Sequence, residues 1–340
     1  MHALLRERIR LLLWIVAISA VIGAVYRAVL GASVTGVAWP PRLADVMTGI
    51  MNGALISGSI GAIEIFLLNA GRMRRLATLP FVAVVALKTV VYGAIVVAVL
   101  VGGTGTQATA LTVGFSLAVT LIFVVTMQVV LLLGFRTARD LFLGRYRRPR
   151  RERRFFLFVD VVGSTAIAER LGPLEAHRFL SAVFAAVAEP VAACRGEIYQ
   201  YIGDEVVITW TEQEGALEAR PLRCFFLMET SLRDLEEHFR KQFAAAPKLR
   251  AALHLGEVIA GEVGVWRRAI VFHGDVMNTA SRLENATREV GQRFIASADA
   301  MQAFGPLPEL ASRDLGALAL RGRSEPIRAY GIERFEGAAG

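Results

Sequence analysis

Four long apolar runs occupy the first part of the chain, at about residues 11–30, 46–69, 79–101 and 108–134. Each is long enough to cross about 30 Å of hydrocarbon at a rise of about 1.5 Å per residue. The pattern predicts a transmembrane domain of four helices over residues 1–134. A cleaved signal peptide is the alternative for the first run, but its apolar core is long and no small-residue cleavage site stands out.

Arginines are concentrated on one side of these runs, whereas the first loop on the other side carries only Arg27 and Arg42 with Asp45. Arg6, Arg8 and Arg10 precede the first run, and Arg72, Arg74 and Arg75 lie between the second and third. An Arg-rich block at 136–154 follows the fourth run. Positive residues mark cytoplasmic loops. We therefore expect a multi-pass protein of the bacterial inner (cell) membrane, with its N-terminus and its C-terminal half in the cytoplasm.

The net charge of +8 is concentrated in that basic block, beside the last apolar run. This position favours contact with the anionic inner leaflet of a lipid bilayer rather than with nucleic acid.

Two ionisable residues interrupt the apolar runs. Glu64 lies in the second run and Lys88 in the third, both in the inner half of antiparallel neighbours. They are expected either to form a structural ion pair or to reach separately toward the interface. The second run also carries a set of small residues that favours close helix contact: Gly53, Ala54, Gly58, Gly61 and Ala62.

Residues 135–153 are predicted to form a basic helical connector. Residues 135–143 continue the periodicity of the fourth helix, and the segment 144–154, which contains Pro149, ends it. Such a connector either transmits a change in helix packing or serves only as a tether.

From residue 154 to 335, β-type apolar runs alternate with amphipathic helical runs, which is typical of an α+β domain. The first run, 155–161, contains Asp160 and leads into Gly163, Ser164 and Thr165. A helix is expected from there through about Ala193. A carboxylate at a strand end beside a helix N-terminus suits a metal-bound phosphate, although such aspartates also cap helices.

A second β-rich run, 196–210, contains Gly203 and Asp204 between its two arms, which predicts a hairpin turn. A third run covers 249–263. The fourth, 269–295, carries Asn278 and Arg282, which helical spacing places on one face.

In this order, the motifs resemble those of the catalytic domain of class III adenylyl and guanylyl cyclases. The resemblance covers about residues 154–335 and rests on 158–165 (FVDVVGST), Gly203-Asp204, 250–261 and 278–282. It implies a ferredoxin-like fold related to polymerase palm domains. It also implies an adenylate cyclase that works as a homodimer and converts ATP to 3′,5′-cyclic AMP and pyrophosphate.

The same resemblance implies roles for individual residues. Asp160 and Asp204, with the Val161 carbonyl, would hold two divalent cations, Mg²⁺ or Mn²⁺. Asn278 would orient the ribose and Arg282 would stabilise charge at the α-phosphate, both from the opposite subunit. Further substrate-binding candidates are Ser164, Thr165, Gln200, Arg250, Arg321 and Arg323. For the last three, a solvated surface charge is the alternative.

The chain departs from the family pattern at the base pocket. Gln200 stands where the family has an adenine-selecting Lys, and Val271 stands at the partner acidic position. Gln can read a purine edge, whereas the Val side chain cannot hydrogen-bond. A guanylate cyclase acting on GTP and a catalytically weak pseudocyclase that serves as a membrane signalling subunit are therefore the alternatives. A transporter fits less well, because Glu64 and Lys88 alone make a poor substrate path.

Overall fold

The computed structural model describes residues 2–30, 43–64, 79–103, 110–266, 268–305, 310–323 and 325–334. They divide into two compact units, Met1–Ala138 and Arg139–Gly340. The loop between the second and third apolar runs, with Arg72, Arg74 and Arg75 predicted to face the cytoplasm, lies outside the described residues.

Helices account for nearly all described residues of the N-terminal unit. Its elements are α1 (His2–Val25) with a π-helical turn (Tyr26–Leu30), α2 (Leu43–Ala62), α3 (Phe81–Ala98) with a π-helical turn (Val99–Gly103), and α4 (Ala110–Leu133). Among the described residues, four helical spans are long and apolar enough to cross a membrane: Leu12–Val29, Leu43–Ala62, Phe81–Gly102 and Thr112–Val130. This confirms the four predicted helices.

Small residues bring α1 and α2 into close contact. A side chain added at Gly53 would meet the backbone oxygen of Ser19, and Gly23 and Gly49 exclude each other's side chains in the same way. Small residues at a helix crossing allow the two backbones to approach. The packing role predicted for the small-residue face of the second span is confirmed at Gly53.

Glu64 and Lys88 form an ion pair inside this unit. Lys88 Nζ lies 2.6 Å from Glu64 Oε1, and the side chains are only 10% and 9% exposed. A charge in hydrocarbon is stable when it faces an opposite charge. The ion-pair prediction is confirmed, and separate reach of the two side chains toward the interface is excluded.

The connector differs from its prediction. Gly134 adopts a left-handed conformation (φ 81°) and separates α4 from a short helix, α5 (Phe135–Phe142), so the fourth helix does not continue unbroken. The first strand then begins at Arg150, within the segment predicted as connector. Residues 150–153 pair with residues 257–260 of the third β-rich run, which explains why the strand begins earlier than predicted.

The C-terminal unit alternates strands and helices. In chain order it contains β1 (Arg150–Val161), α6 (Ser164–Leu171), α7 (Pro173–Ala193), β2 (Glu197–Ile202), β3 (Glu205–Thr211), α8 (Glu212–Ala216), α9 (Arg220–Asp234), α10 (Glu236–Phe243), β4 (Leu249–Val263), β5 (Ala269–His273), α11 (Asp275–Glu289), β6 (Phe294–Ser297), α12 (Ala298–Gln302), β7 (Leu310–Leu318) and β8 (Ile327–Arg334).

The described strands form one mixed sheet in the order β2-β3-β1-β4-β6-β8-β7, and β5 pairs with the far end of β4. β1 is central and antiparallel to both β3 and β4. Its side chains from Arg154 to Val161 are all buried, because both sheet faces are covered. Phe155 belongs to a core with α7, α9 and α10, whereas Phe156 packs toward α11 on the other face. This explains why β1 reads as a continuous apolar run.

The helix predicted from Ser164 to about Ala193 is two helices. Gly172 has φ 78° and Pro173 begins the next helix. Glycine adopts a left-handed conformation easily, and proline at the first helical position needs no N–H partner. The single-helix prediction was therefore wrong at this point.

Candidate active site

Asp160 occupies the C-terminal end of the central strand. Strand register places it opposite Glu205 on β3 and Arg250 on β4. Its side chain is 7% exposed and accepts a hydrogen bond from the Arg250 guanidinium. A buried carboxylate requires such a charged partner.

Asp204 reaches the same place from the β2–β3 hairpin. Gly203, with φ 62°, makes the turn, as the sequence predicted. Ser164, at the start of α6, donates its hydroxyl hydrogen bond to Asp204. Gly163 (φ 72°) directs the chain from β1 into α6. Two tight turns therefore bring Asp160, Ser164 and Asp204 together, while Thr165 is exposed on the first turn of α6.

The two carboxyl groups have opposite pKa shifts. Burial raises the pKa of Asp160, the neighbouring Asp204 carboxylate adds to this effect and Arg250 opposes it, which leaves the pKa at about 6. Burial acts on Asp204 too, but hydrogen bonds from Ser164 and Asp160 outweigh it and hold its pKa below the ordinary value. Two close carboxyl groups that share a proton titrate as a pair.

Arg250 is held between two acids rather than solvated. Its Nε lies 2.7 Å from Glu284 Oε1 on α11, and its side chain is 12% exposed. The alternative of a surface charge is therefore excluded for Arg250. Its predicted contact with substrate remains a prediction.

The sequence reasoning missed three charged residues beside the carboxyl pair. Glu284 and Arg288 lie four residues apart on α11, and Arg288 Nη2 is 3.4 Å from Asp160 Oδ2. Glu205 directly follows Asp204; burial raises its pKa to about 7, and Glu284, Asp160 and Asp204 add to the rise. The i, i+4 spacing of Glu284 and Arg288 was the available signal.

Asn278 and Arg282 lie on a different face of α11. At 3.6 residues per turn, they point about 120° away from Glu284 and Arg288. Asn278 is exposed, and Arg282 Nη1 donates to the Gly322 carbonyl at 3.1 Å. Among the hydrogen bonds and ion pairs of the described residues, none joins either side chain to Asp160 or Asp204. Helix α11 of one chain therefore carries two separate sets of polar side chains: Glu284 and Arg288 on one face, and Asn278 and Arg282 on another.

No hydrogen bond or ion pair of the described residues joins the remaining substrate-binding candidates to the carboxyl pair. Gln200 is half-buried on β2 at a bulge, next to Tyr199, whose ring is 5.1 Å from that of Phe272. Arg321 is exposed in a turn, as the surface-charge alternative expects. Arg323, whose side chain is 25% exposed, forms an ion pair with Asp275 on the first turn of α11 rather than with Asp160.

The donor chemistry at the carboxyl pair fits a hard divalent cation. Asp160 and Asp204 offer neighbouring carboxylate oxygens, the ligand type that hard divalent cations prefer. Within the part of the chain that the structure describes, no cluster of three or more acidic, His or Cys side chains completes a metal site. Additional ligands would come from the Val161 carbonyl, water or substrate phosphates.

Comparison with known proteins identifies the class to which this fold and site belong. The family described as "Adenylate and Guanylate cyclase catalytic domain" matches residues 149–333. This is more than half of the chain. The protein therefore belongs to that family, as the motifs predicted.

Curated relatives include two adenylate cyclases of Rhizobium meliloti (strain 1021). The chain is 38% identical to Adenylate cyclase 2 over 193 residues, which are 56% of this chain and 53% of that protein. It is 28% identical to Adenylate cyclase 1 over 179 residues, which are 52% of this chain and 27% of that protein. The matches thus span about half or less of these relatives.

Solved structures support the fold. The adenylyl cyclase CyaB from P. aeruginosa matches with a TM-score of 0.50 at 20% identity, covering 57% of this chain and all of that one. A bacterial light-regulated adenylyl cyclase matches with a TM-score of 0.55 at 19% identity, covering 67% of this chain and 66% of that one. The α+β class III cyclase fold predicted from the sequence is confirmed.

Proposed function

We propose that the protein is a membrane-anchored adenylate cyclase that converts ATP to 3′,5′-cyclic AMP and pyrophosphate at the interface of a homodimer. One observation carries this proposal. Asp160 and Asp204 meet at the ends of β1 and the β2–β3 hairpin in a chain of the nucleotide cyclase family. The 38% identity to an adenylate cyclase supports ATP as the substrate.

In this proposal, Asp160, Asp204 and the Val161 carbonyl hold two divalent cations, Mg²⁺ or Mn²⁺. When bound, such cations favour deprotonation of the ribose 3′-hydroxyl and neutralise the triphosphate. Arg250 stays beside Asp160 and offers guanidinium N–H groups to phosphate oxygens. Ser164 fixes the orientation of Asp204 through its hydrogen bond.

The bond changes need no protein nucleophile. The ribose 3′-oxygen attacks the α-phosphorus, the bond from that phosphorus to the bridging β-phosphate oxygen breaks, and pyrophosphate leaves. Both reacting groups belong to one substrate, so positioning and charge stabilisation supply the catalysis.

Asn278 and Arg282 of the partner subunit complete each site in this proposal. The support is the separation of the two faces of α11, which leaves both residues away from their own chain's carboxylates. Asn278 orients the ribose, and Arg282 stabilises the charge that develops on the α-phosphate. Two copies related by a two-fold axis would form two such sites.

We further propose that the four helices anchor the protein in the bacterial inner membrane, with the N-terminus and catalytic unit in the cytoplasm. The four apolar spans and the arginines beside them support this topology. The Arg-rich segment near α5 would lie at the anionic leaflet.

The test is cyclic nucleotide production by the purified full-length protein with ATP or GTP, and with Mg²⁺ or Mn²⁺. We expect cyclic AMP from the wild type and at least a hundredfold less from Asp204→Asn, because one metal ligand is lost. Asp234→Asn makes the same change at an exposed position at the end of α9, outside the proposed site, and should retain most activity.

Two other outcomes would replace the proposal. Cyclic GMP as the main product would assign a guanylate cyclase, which the Gln200 and Val271 pair motivates. A folded dimer that binds nucleotide and Mn²⁺ but forms neither product would be a pseudocyclase.

A further inference from the structure

The N-terminal unit contains a cavity of about 100 Å³ among α1, α2 and α4 that is partly open to the surface. Apolar side chains line much of it, including Ile22, Ile56 and Phe115. Tyr26 closes one side, because its ring stacks on Phe115 with centroids 4.1 Å apart. An apolar cavity of roughly 150 Å³ accepts a molecule of benzene's size, so this one accepts a small chemical group.

A buried polar atom faces this cavity without a partner. Asn52 of α2 lines it and is 7% exposed, and its Oδ1 has no hydrogen-bond partner. Nearby hydroxyls are engaged elsewhere: Ser57 donates to the Gly53 carbonyl at 2.7 Å and Thr120 to the Ser116 carbonyl at 2.8 Å. An unsatisfied acceptor is costly inside a membrane. The occupant of the cavity should therefore bring a hydrogen-bond donor.

A cation lines the same cavity. Arg27, in the π-helical turn after α1, contributes to the wall, and its stem packs against Gly49. Among the ion pairs of the described residues, none includes Arg27. Lys88, a buried cation of the same unit, is paired with Glu64. An Arg guanidinium at the edge of hydrocarbon favours a carboxylate or phosphate.

We infer that this cavity binds the head of an anionic amphiphile that carries a hydroxyl group near its carboxylate or phosphate. The anionic group pairs with Arg27, the hydroxyl donates to Asn52 Oδ1, and the carbon chain contacts the apolar wall. A free hydroxy acid and the glycerol phosphate head of phosphatidylglycerol share this chemistry. The inference goes beyond the proposed function, and its test does not depend on cyclase activity.

The test measures binding of labelled 3-hydroxyoctanoate by equilibrium dialysis. The full-length protein is placed in phosphatidylcholine nanodiscs, and empty nanodiscs give the background of partitioning into lipid. Octanoate, which lacks the hydroxyl, and methyl 3-hydroxyoctanoate, which lacks the charge, are compared with the parent acid. We expect each to bind about tenfold more weakly, the usual effect of losing one hydrogen bond to a charged or buried group.

Three variants assign these differences to residues. In Arg27→Gln, the acid and its methyl ester should bind equally. In Asn52→Leu, the hydroxy acid and octanoate should bind equally, while the ligand-free protein melts no lower than wild type because a buried unsatisfied group is removed. Ser59→Leu, at an exposed position of α2, is the matched control and should retain both preferences.

Adding phosphatidylglycerol to the nanodiscs identifies the source of the ligand. Competition with the labelled acid would indicate a membrane lipid, and unchanged binding would indicate a free hydroxy acid; both support the site. The inference is overturned if binding does not saturate above the empty nanodiscs. It is equally overturned if either preference survives in the variant designed to abolish it, because the acid would then be recognised by other residues.

Discussion

Arg288 on α11 lies 3.4 Å from Asp160 at the end of β1, measured between Nη2 and Oδ2. Since 59% of its side chain is exposed, the guanidinium can also meet a nucleotide that approaches the carboxyl pair. We predict that Arg288→Gln raises the KM for ATP roughly three- to tenfold with little change in kcat, because a partly solvated charge contact is lost.

Steady-state kinetics with Mn²⁺ measure this effect. Arg313→Gln, which removes an exposed arginine from β7, should leave both constants unchanged. A fall in kcat with an unchanged KM would instead place Arg288 in transition-state stabilisation.

The two faces of α11 predict complementation between inactive variants. Asp204→Asn lacks a carboxylate proposed to hold the metal, and Arg282→Ala lacks the group proposed to act on the partner's substrate. In a mixed dimer, one site combines both defects and the other has none. With random pairing, activity should return to about a quarter of wild type for a two-fold symmetric dimer.

The mixture is assayed after the two chains are produced together. Each variant alone should remain nearly inactive while still forming dimers by light scattering. Dimers without recovery would place Arg282 and Asp204 in the same chain's site.

His254 predicts a pH dependence of stability in the C-terminal unit. Burial lowers the pKa of His254 to about 4, and its Nδ1 lies 2.8 Å from Ser297 Oγ. The unfolded chain therefore binds a proton that the folded chain does not between about pH 6.5 and 4. This contribution to stability is fully present above pH 6.5 and is lost as the pH falls through that window, by about 3 kcal/mol in total.

The raised pKa values of Glu205 and Asp160 act in the opposite direction over part of this range. The informative quantity is therefore the difference between wild type and His254→Gln. Thermal unfolding at pH 7.5 and pH 5 should show a smaller acid-induced loss for the variant. Equal losses would indicate that His254 is already protonated in the folded protein.

Substitutions of Glu64 and Lys88 should have strongly coupled effects on the stability of the N-terminal unit. Lys88→Met or Glu64→Gln alone leaves one buried ionisable group without its partner and should destabilise the unit by about 3 kcal/mol. The swapped variant Glu64→Lys with Lys88→Glu restores opposite charges. It should be more stable than Glu64→Lys or Lys88→Glu alone in detergent denaturation. If the swap is no better than these single changes, the ion pair has no structural role.

Apolar patterns predicted most elements of the fold because they report local burial. The membrane helices follow from run length, and β1 and β4 follow from continuous β-type sequence. The helix break at Gly172 also had a local signal, glycine followed by proline, which the helical periodicity on both sides obscured.

The surroundings of Asp160 were harder to predict. Arg250, Glu284 and Arg288 reach it through strand register and through the rotation of α11 against the sheet. Both relations join residues far apart in the chain. A single sequence shows the charges but not the face on which each one lies. The motif residues were found because their resemblance to a family supplied the missing long-range information.

The pairing of β1 with β3 places Asp160 opposite Glu205, directly beside Asp204. In a strand, alternate residues face opposite sides of the sheet, so a slip by one position would turn Asp160 away from the hairpin. The two carboxyl groups thus meet only when this pairing is correct. Cation binding would therefore stabilise only the chain in which β1 and β3 are correctly paired. A chain that misaligns these strands during folding would gain no stability from the metal.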